Sequence, residues 1–542
     1  MSKAIVIGTG AGGLAASIGL AQRGHEVIAL EAAKQLGGYL NPFARRHYHF
    51  DPGVHYMGQL GPGETARLGL EQLGVDVERM FCPMDPAGCD HLRFPDLELR
   101  IPRGLDRYLA RLVDTFPHER RALHRFFAGL RRFIRVANTA QQLPMRGPRL
   151  TDLAALSGLP FAGRWLNATF AQLLAHYFRD PKLRAVIAGQ GGDYGLPPSR
   201  TPAILGMGVL LHYLEGGWFP RGGSGTLRDE LVARGRSLGA VYRRRAQVVA
   251  LLLDGDRVTG VRLASGERLD ADLVVSAIDP ALTFGELLPR ERVPSRLQAK
   301  LDRAVPSLGS VCVFLGLARD LRAHGLGAFN VWDYPSWDLE AMYAGVLRGE
   351  LPDDWFFFLS PNSLKDDTGA MAPAGCSTLE IVTLCPYRPF ADWDGLKAFK
   401  RGPEYDALKA RVADELLAAV ERRWPGLVGD VAVQDIATPV TNSFYAGAYK
   451  GGAYGPAGIP EQFGKNAWGT RTPIDGLFLA GAGVFGGGVA PCLYSGLAAA
   501  AAANKRAGSR ARRRAPGVRW RRASTPTADS RAAATERAQR SA

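Results

Sequence analysis

The sequence predicts an α/β fold: a discontinuous Rossmann-like dinucleotide-binding domain with an inserted α+β region. Three observations predict it. Residues 4–31 read as strand, glycine loop, helix, strand and terminal acid, in that order. Residues 476–504 hold no charged residue and bunch five glycines between 481 and 488. Strand-like runs and long amphipathic stretches lie between these two ends.

Ala4, Ile5, Val6 and Ile7 form a continuous apolar run, as a parallel strand covered on both faces requires. Gly8-Thr9-Gly10-Ala11-Gly12-Gly13 follows and fits GxGxxG through Gly8, Gly10 and Gly13. Gly8 permits a tight turn, Gly10 lets the backbone approach a pyrophosphate, and Gly13 lets helix and strand pack closely. The helix over 14–23 carries the small residues Ala15, Ala16 and Gly19. Its N-terminal N–H groups face the phosphates. After a turn at Gly24 and His25, residues 26–30 form a second strand, and Glu31 ends it. Glu31 can accept hydrogen bonds from a ribose 2′-OH. An acid there fits an unphosphorylated ribose, so the site suits FAD or NAD rather than NADP.

Of 542 residues, 46% are hydrophobic and 22% charged, as in an ordinary folded chain. The formal net charge is +15, but residues 505–542 carry twelve Lys or Arg and two acids, so the tail alone supplies +10. The remainder is mildly basic, and no specific nucleic-acid partner is expected. The six cysteines are scattered without metal-ligand spacing. No metal is expected, and the usage fits a reducing, cytoplasmic setting. The uncharged stretch 4–22 lacks a basic n-region and a cleavage site. Its glycines, like those of 476–504, fit ligand-facing loops rather than a signal peptide or a transmembrane helix.

The dinucleotide domain reads as three pieces, 1–105, 216–290 and 436–504. The middle piece holds a helix over 227–238, a hairpin of 248–253 and 258–263 about Asp254-Gly255-Asp256, and a strand over 273–276. The insert 106–215 is mainly helical and faces the substrate or a membrane. The insert 291–435 mixes strands at 311–317, 355–359 and 377–384 with a helix over 405–424. Together the inserts form the substrate domain. In the helix over 119–137, Leu123, Phe126, Phe127, Leu130, Phe133, Ile134 and Ala137 make an apolar stripe beside six arginines. Such a helix packs on its domain, covers an apolar tunnel, or makes a peripheral membrane contact. The tail 505–542 has too few apolar residues to offset ordering entropy and is expected to be disordered. The oligomeric state stays open.

After Glu31 the chain continues through Leu36-Gly37-Gly38-Tyr39 to Phe50-Asp51-Pro52-Gly53-Val54-His55-Tyr56-Met57-Gly58. Further on stand Gly189-Gln190-Gly191-Gly192-Asp193-Tyr194-Gly195, the run 212–225, Ala246-Gln247-Val248, the run 271–280, and Gly476–Gly481 followed by Gly486-Gly487-Gly488-Val489. In this order the segments resemble the flavoprotein superfamily of phytoene desaturases, carotenoid isomerases and retinol saturases, most of all the retinol saturase branch. The resemblance spans most of 1–504. It implies a Rossmann-like FAD-binding domain of the GR2 type, with FAD as cofactor. It places Gly12, Gly37 and Gly38 by the FAD phosphates and the Val248 backbone at the adenine. Gly481, Ala482, Gly488 and Val489 fall in the C-terminal flavin segment. His55 and Tyr56 fall beside the flavin. Tyr39 stands where many relatives carry Arg, and Ala482-Gly483 where relatives often carry an acid or Gln-Asp.

No nucleophile elbow, zinc spacing or P-loop is present. The chemistry then falls to the cofactor, with the protein supplying orientation and an apolar pocket. The resemblance implies an FAD-dependent oxidoreductase acting on an apolar isoprenoid polyene, a carotenoid or retinoid, by desaturation, saturation or cis–trans isomerisation. Tyr194, Tyr213, Trp218, Phe219, Phe356 and Phe357 are pocket candidates. His55 and Tyr56 are the candidates near the reacting atoms; no general base is assigned, and Glu215 reads as solvated. Two alternatives stay open, an amine-oxidase-like flavoenzyme and a flavin-binding partner without turnover. The lone aromatic of 481–489, Phe485, argues against an amine-binding cage. Glu31→Arg is expected to weaken FAD binding at least tenfold, about the value of one charged hydrogen bond. Fluorescence titration of the apoprotein with FAD checks this; unchanged affinity would show that Glu31 is not the ribose ligand.

Overall fold

The computed structural model describes residues 1–146 and 148–514. Distant stretches of chain meet in one five-stranded sheet, whose spatial order is Leu477–Leu479, Leu273–Ser276, Lys3–Ile7, Glu26–Leu30 and Val241–Arg243. All four pairings are parallel. Lys3–Ile7 is central, and its apolar residues Ala4 to Ile7 are buried on both faces, as the uninterrupted hydrophobic run requires. The helix Ala11–Ala21 packs back on this strand at Gly13, where a Cβ would stand 2.0 Å from the Gly8 carbonyl oxygen. Only glycine permits that approach. The predicted hairpin is present as Val248–Asp254 and Arg257–Leu263, joined by Arg268–Asp270 into a small antiparallel sheet.

A second sheet has seven strands in the order Val431–Ala437, Gly309–Leu317, Ser377–Cys385, Phe357–Ser360, Asn330–Asp333, Asp90–Phe94 and Leu97–Ile101. It is antiparallel except where Asn330–Asp333 pairs in parallel with Asp90–Phe94. Residues 90–101 thus join the second sheet, although they read as part of the piece 1–105. A parallel partner 240 residues away leaves no local pattern in the sequence.

Helices of the insert cover this sheet at one end. The helix predicted over 119–137 runs from Arg120 to Arg146. Its stripe faces inward: Leu123, Phe126, Phe127, Leu130 and Phe133 are all buried in one core with Phe170, Leu174 and Phe178. Its six arginines from Arg120 to Arg135 are exposed. The apolar face is therefore occupied by core packing and is not free for lipid. The helix Val489–Arg514 continues past residue 504, so disorder does not begin at 505; the alanine run over 498–503 has the highest helix propensity and carries the helix onward. The rest of the tail lies outside the described residues. Among the described residues, no helix is long and apolar enough to cross a membrane.

Phe126 is 1% exposed and meets Phe127, Tyr177 and Phe178 edge-on at 5.2–5.7 Å. Phe126→Ala is expected to cost about 3–5 kcal/mol by leaving a cavity, whereas Arg125→Ala stays within about 0.5 kcal/mol. Denaturant unfolding of both variants checks the pair.

Candidate active site

The dinucleotide site is built at the C-terminal edge of the parallel sheet, where the chain turns from strand to helix. Gly10 is the N-cap of the helix Ala11–Ala21, with no side-chain cap and no acid in the first turn. A Cβ on Gly10 would meet nothing within 4 Å, so space lies open before the free N–H groups. Three glycine segments converge there. A Cβ on Gly38 would stand 3.3 Å from the Gly10 Cα, and one on Gly12 would stand 2.7 Å from the Gly481 nitrogen. Gly37 N donates to Thr9 Oγ at 3.2 Å. Gly481 N donates to Ser495 Oγ at 2.7 Å, which ties the loop to the helix Val489–Arg514.

Glu31 serves the loop itself. Its carboxylate accepts from Thr9 N at 3.0 Å, Thr9 Oγ at 2.6 Å and Ala33 N at 3.0 Å. Val248 lies close by in the core with Leu30 and Ala246. Tyr39 is packed under Gly53, and its hydroxyl is buried without a partner. Ala482 opens a short helix next to Gly455, and Val489 packs on the core that contains Leu14. Gly488 has a positive φ of 99° where the loop enters the last long helix. Open space at a helix N-terminus, an acid beyond the second strand and an orphan phenol beside the cradle together fit FAD.

His55 and Tyr56 leave the dinucleotide domain and enter a buried polar cluster on the seven-stranded sheet. Tyr56 stacks on Tyr213 with ring centroids 4.1 Å apart and planes 7° from parallel. Phe358 packs against both His55, at 5.3 Å, and Tyr56, at 6.2 Å. Side chains alternate along a strand, so Phe358 faces the site while Phe357 lies in the opposite core under Arg423. Phe356 stacks on Tyr334, Tyr194 packs with Leu196 and Ile459, and Phe219 lies beside Cys82. Trp218 packs with Met57 in the core of the dinucleotide domain and under Arg103. Of the predicted pocket aromatics, Tyr213 alone stacks on Tyr56. Glu215 is exposed, as expected.

The Tyr56 hydroxyl lies 3.1 Å from Asp90 Oδ2 and 3.2 Å from Asp193 Oδ2. One hydroxyl hydrogen cannot serve both. Burial first, and the nearby Asp90 second, hold the Asp193 carboxyl well above the usual carboxylate range. The Tyr56 hydroxyl is the donor within reach of both carboxylates, and its bond to Asp193 opposes that rise. Asp90 is fully buried and also accepts from Gln190 at 2.8 Å and Trp332 at 3.0 Å. Burial raises its carboxyl and these donors oppose the rise.

Lys365 and Glu380 complete the cluster. Lys365 Nζ faces four acceptors: His55 O at 2.8 Å, Asn330 Oδ1 at 2.6 Å, Ser360 Oγ at 2.6 Å and Asn362 Oδ1 at 2.9 Å. Glu380 Oε1 accepts from Asp51 N at 2.8 Å. Its Oε2 stands 2.9 Å from His55 Nδ1, within ion-pair distance but out of line for a hydrogen bond. Burial, reinforced by Glu380, pushes Asp51 up to about 7. No local motif marks Lys365 or Glu380, whereas Asp51 and Asp193 lie inside segments already singled out. Tyr454 was also missed; it packs against Gly487 and donates to Gly192 O at 2.9 Å.

Burial lowers the Lys365 ammonium to about 7, against the pull of Glu380, Asp90 and Asp51. Between that value and the ordinary lysine range the unfolded chain binds more protons, so stability rises with pH, by at most about 1.4 kcal/mol per unit. Lys365→Met is expected to remove this rise. Denaturant unfolding of parent and variant at about pH 7 and about pH 10 reads the difference in slope.

Residues 11–504 match the family model described as flavin containing amine oxidoreductase. The all-trans-retinol 13,14-reductase of Rattus norvegicus is 27% identical over 93% of this chain and 86% of its own. The chloroplastic prolycopene isomerase of Daucus carota is 27% identical over 91% of this chain and 78% of its own. Among solved structures, an oxidoreductase from Methanosarcina mazei shares the fold, with a TM-score of 0.61 at 15% identity, over 91% of this chain and 99% of that one. With its glycine cradle and its match over nearly the whole compact unit, the chain belongs to the flavin-containing amine oxidoreductase family and is an oxidoreductase with FAD as its cofactor.

Proposed function

We propose that the chain oxidises, reduces or isomerises an apolar isoprenoid polyene, a carotenoid or retinoid, through desaturation, saturation or cis–trans isomerisation. The observation that carries this is the flat stack of Tyr56 on Tyr213, with Phe358 and His55 beside it. A flat aromatic wall suits a flat conjugated chain. Burial holds the Asp193 carboxyl behind the wall well above the usual carboxylate range, which works against a fixed negative charge there for an ammonium group. The retinol reductase and prolycopene isomerase activities for which the rat and carrot relatives are named point the same way.

The free N–H groups behind Gly8, Gly10, Gly12 and Gly13 would hold the pyrophosphate, with Gly37 and Gly38 closing over it. Glu31 would reach the ribose, Val248 the adenine, and the segment from Gly481 and Ala482 to Gly488 and Val489 the flavin. Bound FAD supplies hydride transfer. The protein orients the polyene against the aromatic wall and excludes water from it. Tyr56 holds a proton on its hydroxyl between Asp193 and Asp90, at the surface the substrate would touch.

Two anaerobic titrations test the proposal. A retinoid or carotenoid is expected to reoxidise the reduced holoprotein if it is saturated, to bleach the oxidised holoprotein if it is desaturated, or to be converted to a geometric isomer with no net change of the flavin. Oxidised holoprotein is expected to keep its colour with primary amines. Bleaching by amines together with inertness toward polyenes would overturn it.

A further inference from the structure

Large apolar side chains are exposed next to the buried stripe of the helix Arg120–Arg146. Leu150, Leu153, Leu156, Leu159 and Leu166 are 87%, 63%, 56%, 50% and 59% exposed. The first three lie on a nine-residue 3₁₀-helix, Leu150–Gly158. Three residues per turn put side chains three apart in one line, and so long a 3₁₀ run is uncommon. Leu150, Leu153 and Leu156 therefore form a straight row, and Leu159 extends it as the first residue of the helix Leu159–Trp165.

The opposite side of this segment is fixed. Ala155 and Gly158 are buried. A Cβ on Gly158 would stand 2.3 Å from Arg132 O and 2.6 Å from Val136 Cγ2, and one on Gly129 would stand 2.3 Å from the Phe161 ring. Small residues thus seat the segment on the Arg120–Arg146 helix and turn its leucines to solvent. Such a contiguous apolar ridge marks an interaction surface.

The charges around it identify the partner. Residues 120–170 hold nine arginines against a single acid, Asp152. Arg132, whose carbonyl meets Gly158, and Arg135 are exposed and make no ion pair among the described residues. Arg149 precedes the row, and Arg164 follows it. Leucines flanked by guanidinium groups match the boundary of an anionic bilayer, where acyl chains lie below phosphates. A second copy of the chain would bring like charges face to face. We infer that the row Leu150–Leu153–Leu156–Leu159 docks the protein on an anionic lipid surface. The helix Leu159–Trp165 packs on Ala203–Tyr213, which carries Tyr213 to the Tyr56 stack. The docking surface stands without the polyene assignment, because vesicles alone read it.

The test is co-sedimentation of the full-length holoprotein with phosphatidylcholine vesicles, with and without phosphatidylglycerol. The parent is expected to sediment with the mixed vesicles and weakly with phosphatidylcholine alone. The variant L150S/L153S/L156S is expected to partition about tenfold less, three leucines no longer entering the interface. The substituted side chains are exposed, so flavin absorbance and thermal midpoint are expected to match the parent. Both proteins keep the basic tail, so the difference between them reports the ridge. Equal sedimentation of parent and variant overturns the inference, as does a parent that ignores both vesicle types. A parent dimer that the serines convert to monomer also overturns it and assigns the ridge to self-association.

Discussion

Where Gly12 faces Gly481, backbone lies on backbone without room for a single added carbon. The contact is one rung of a longer ladder. Gly496 sits against Gly12 O and Ala15, and Gly19 against Ala500, so glycine and alanine mark the points of closest approach between the helices Ala11–Ala21 and Val489–Arg514. Larger side chains would hold the helices farther apart, as ordinary packing distances require. Their close approach brings the loop 481–488 onto the N-terminus of the first helix. The dinucleotide cradle depends on it, and so does the placement of the strand Leu477–Leu479 at the sheet edge.

The second sheet meets this frame through His55 and Tyr56. There the protein buries Asp51, Asp90, Asp193, Lys365 and Glu380 in one region of low dielectric. Such groups are costly unless each finds partners. Burial shifts the carboxyls of Asp51, Asp90 and Asp193 up and the lysine down, and neutral Asn, Ser, Gln and Trp groups fill the remaining positions.

The parts legible in the sequence are those written locally. The strand Leu273–Ser276 falls where its valines predict, and Gly13 packs on the Gly8 carbonyl as the GxGxxG spacing implies. Lys365 and Glu380 were not legible, because they reach His55 only through the register of strands more than 300 residues away. The choice of Phe357 over Phe358 failed by one residue, and in a strand one residue exchanges the two faces. The exposed leucine row is not legible in the sequence because its period is three, which matches neither the helical nor the extended pattern.

The parallel sheet that joins Lys3–Ile7 to a strand beginning at Leu477 also orders events in time. Synthesis delivers Gly10 and Gly12 early and Gly481 hundreds of residues later. Contacts of such long sequence separation close slowly, after their loops have been brought together. The first helix must wait with its small-residue face uncovered, a surface that chaperones or aggregation can claim. Cofactor loading therefore belongs to the last stage of maturation, and a nascent or truncated chain lacking residues 477–504 has half of a cradle to offer.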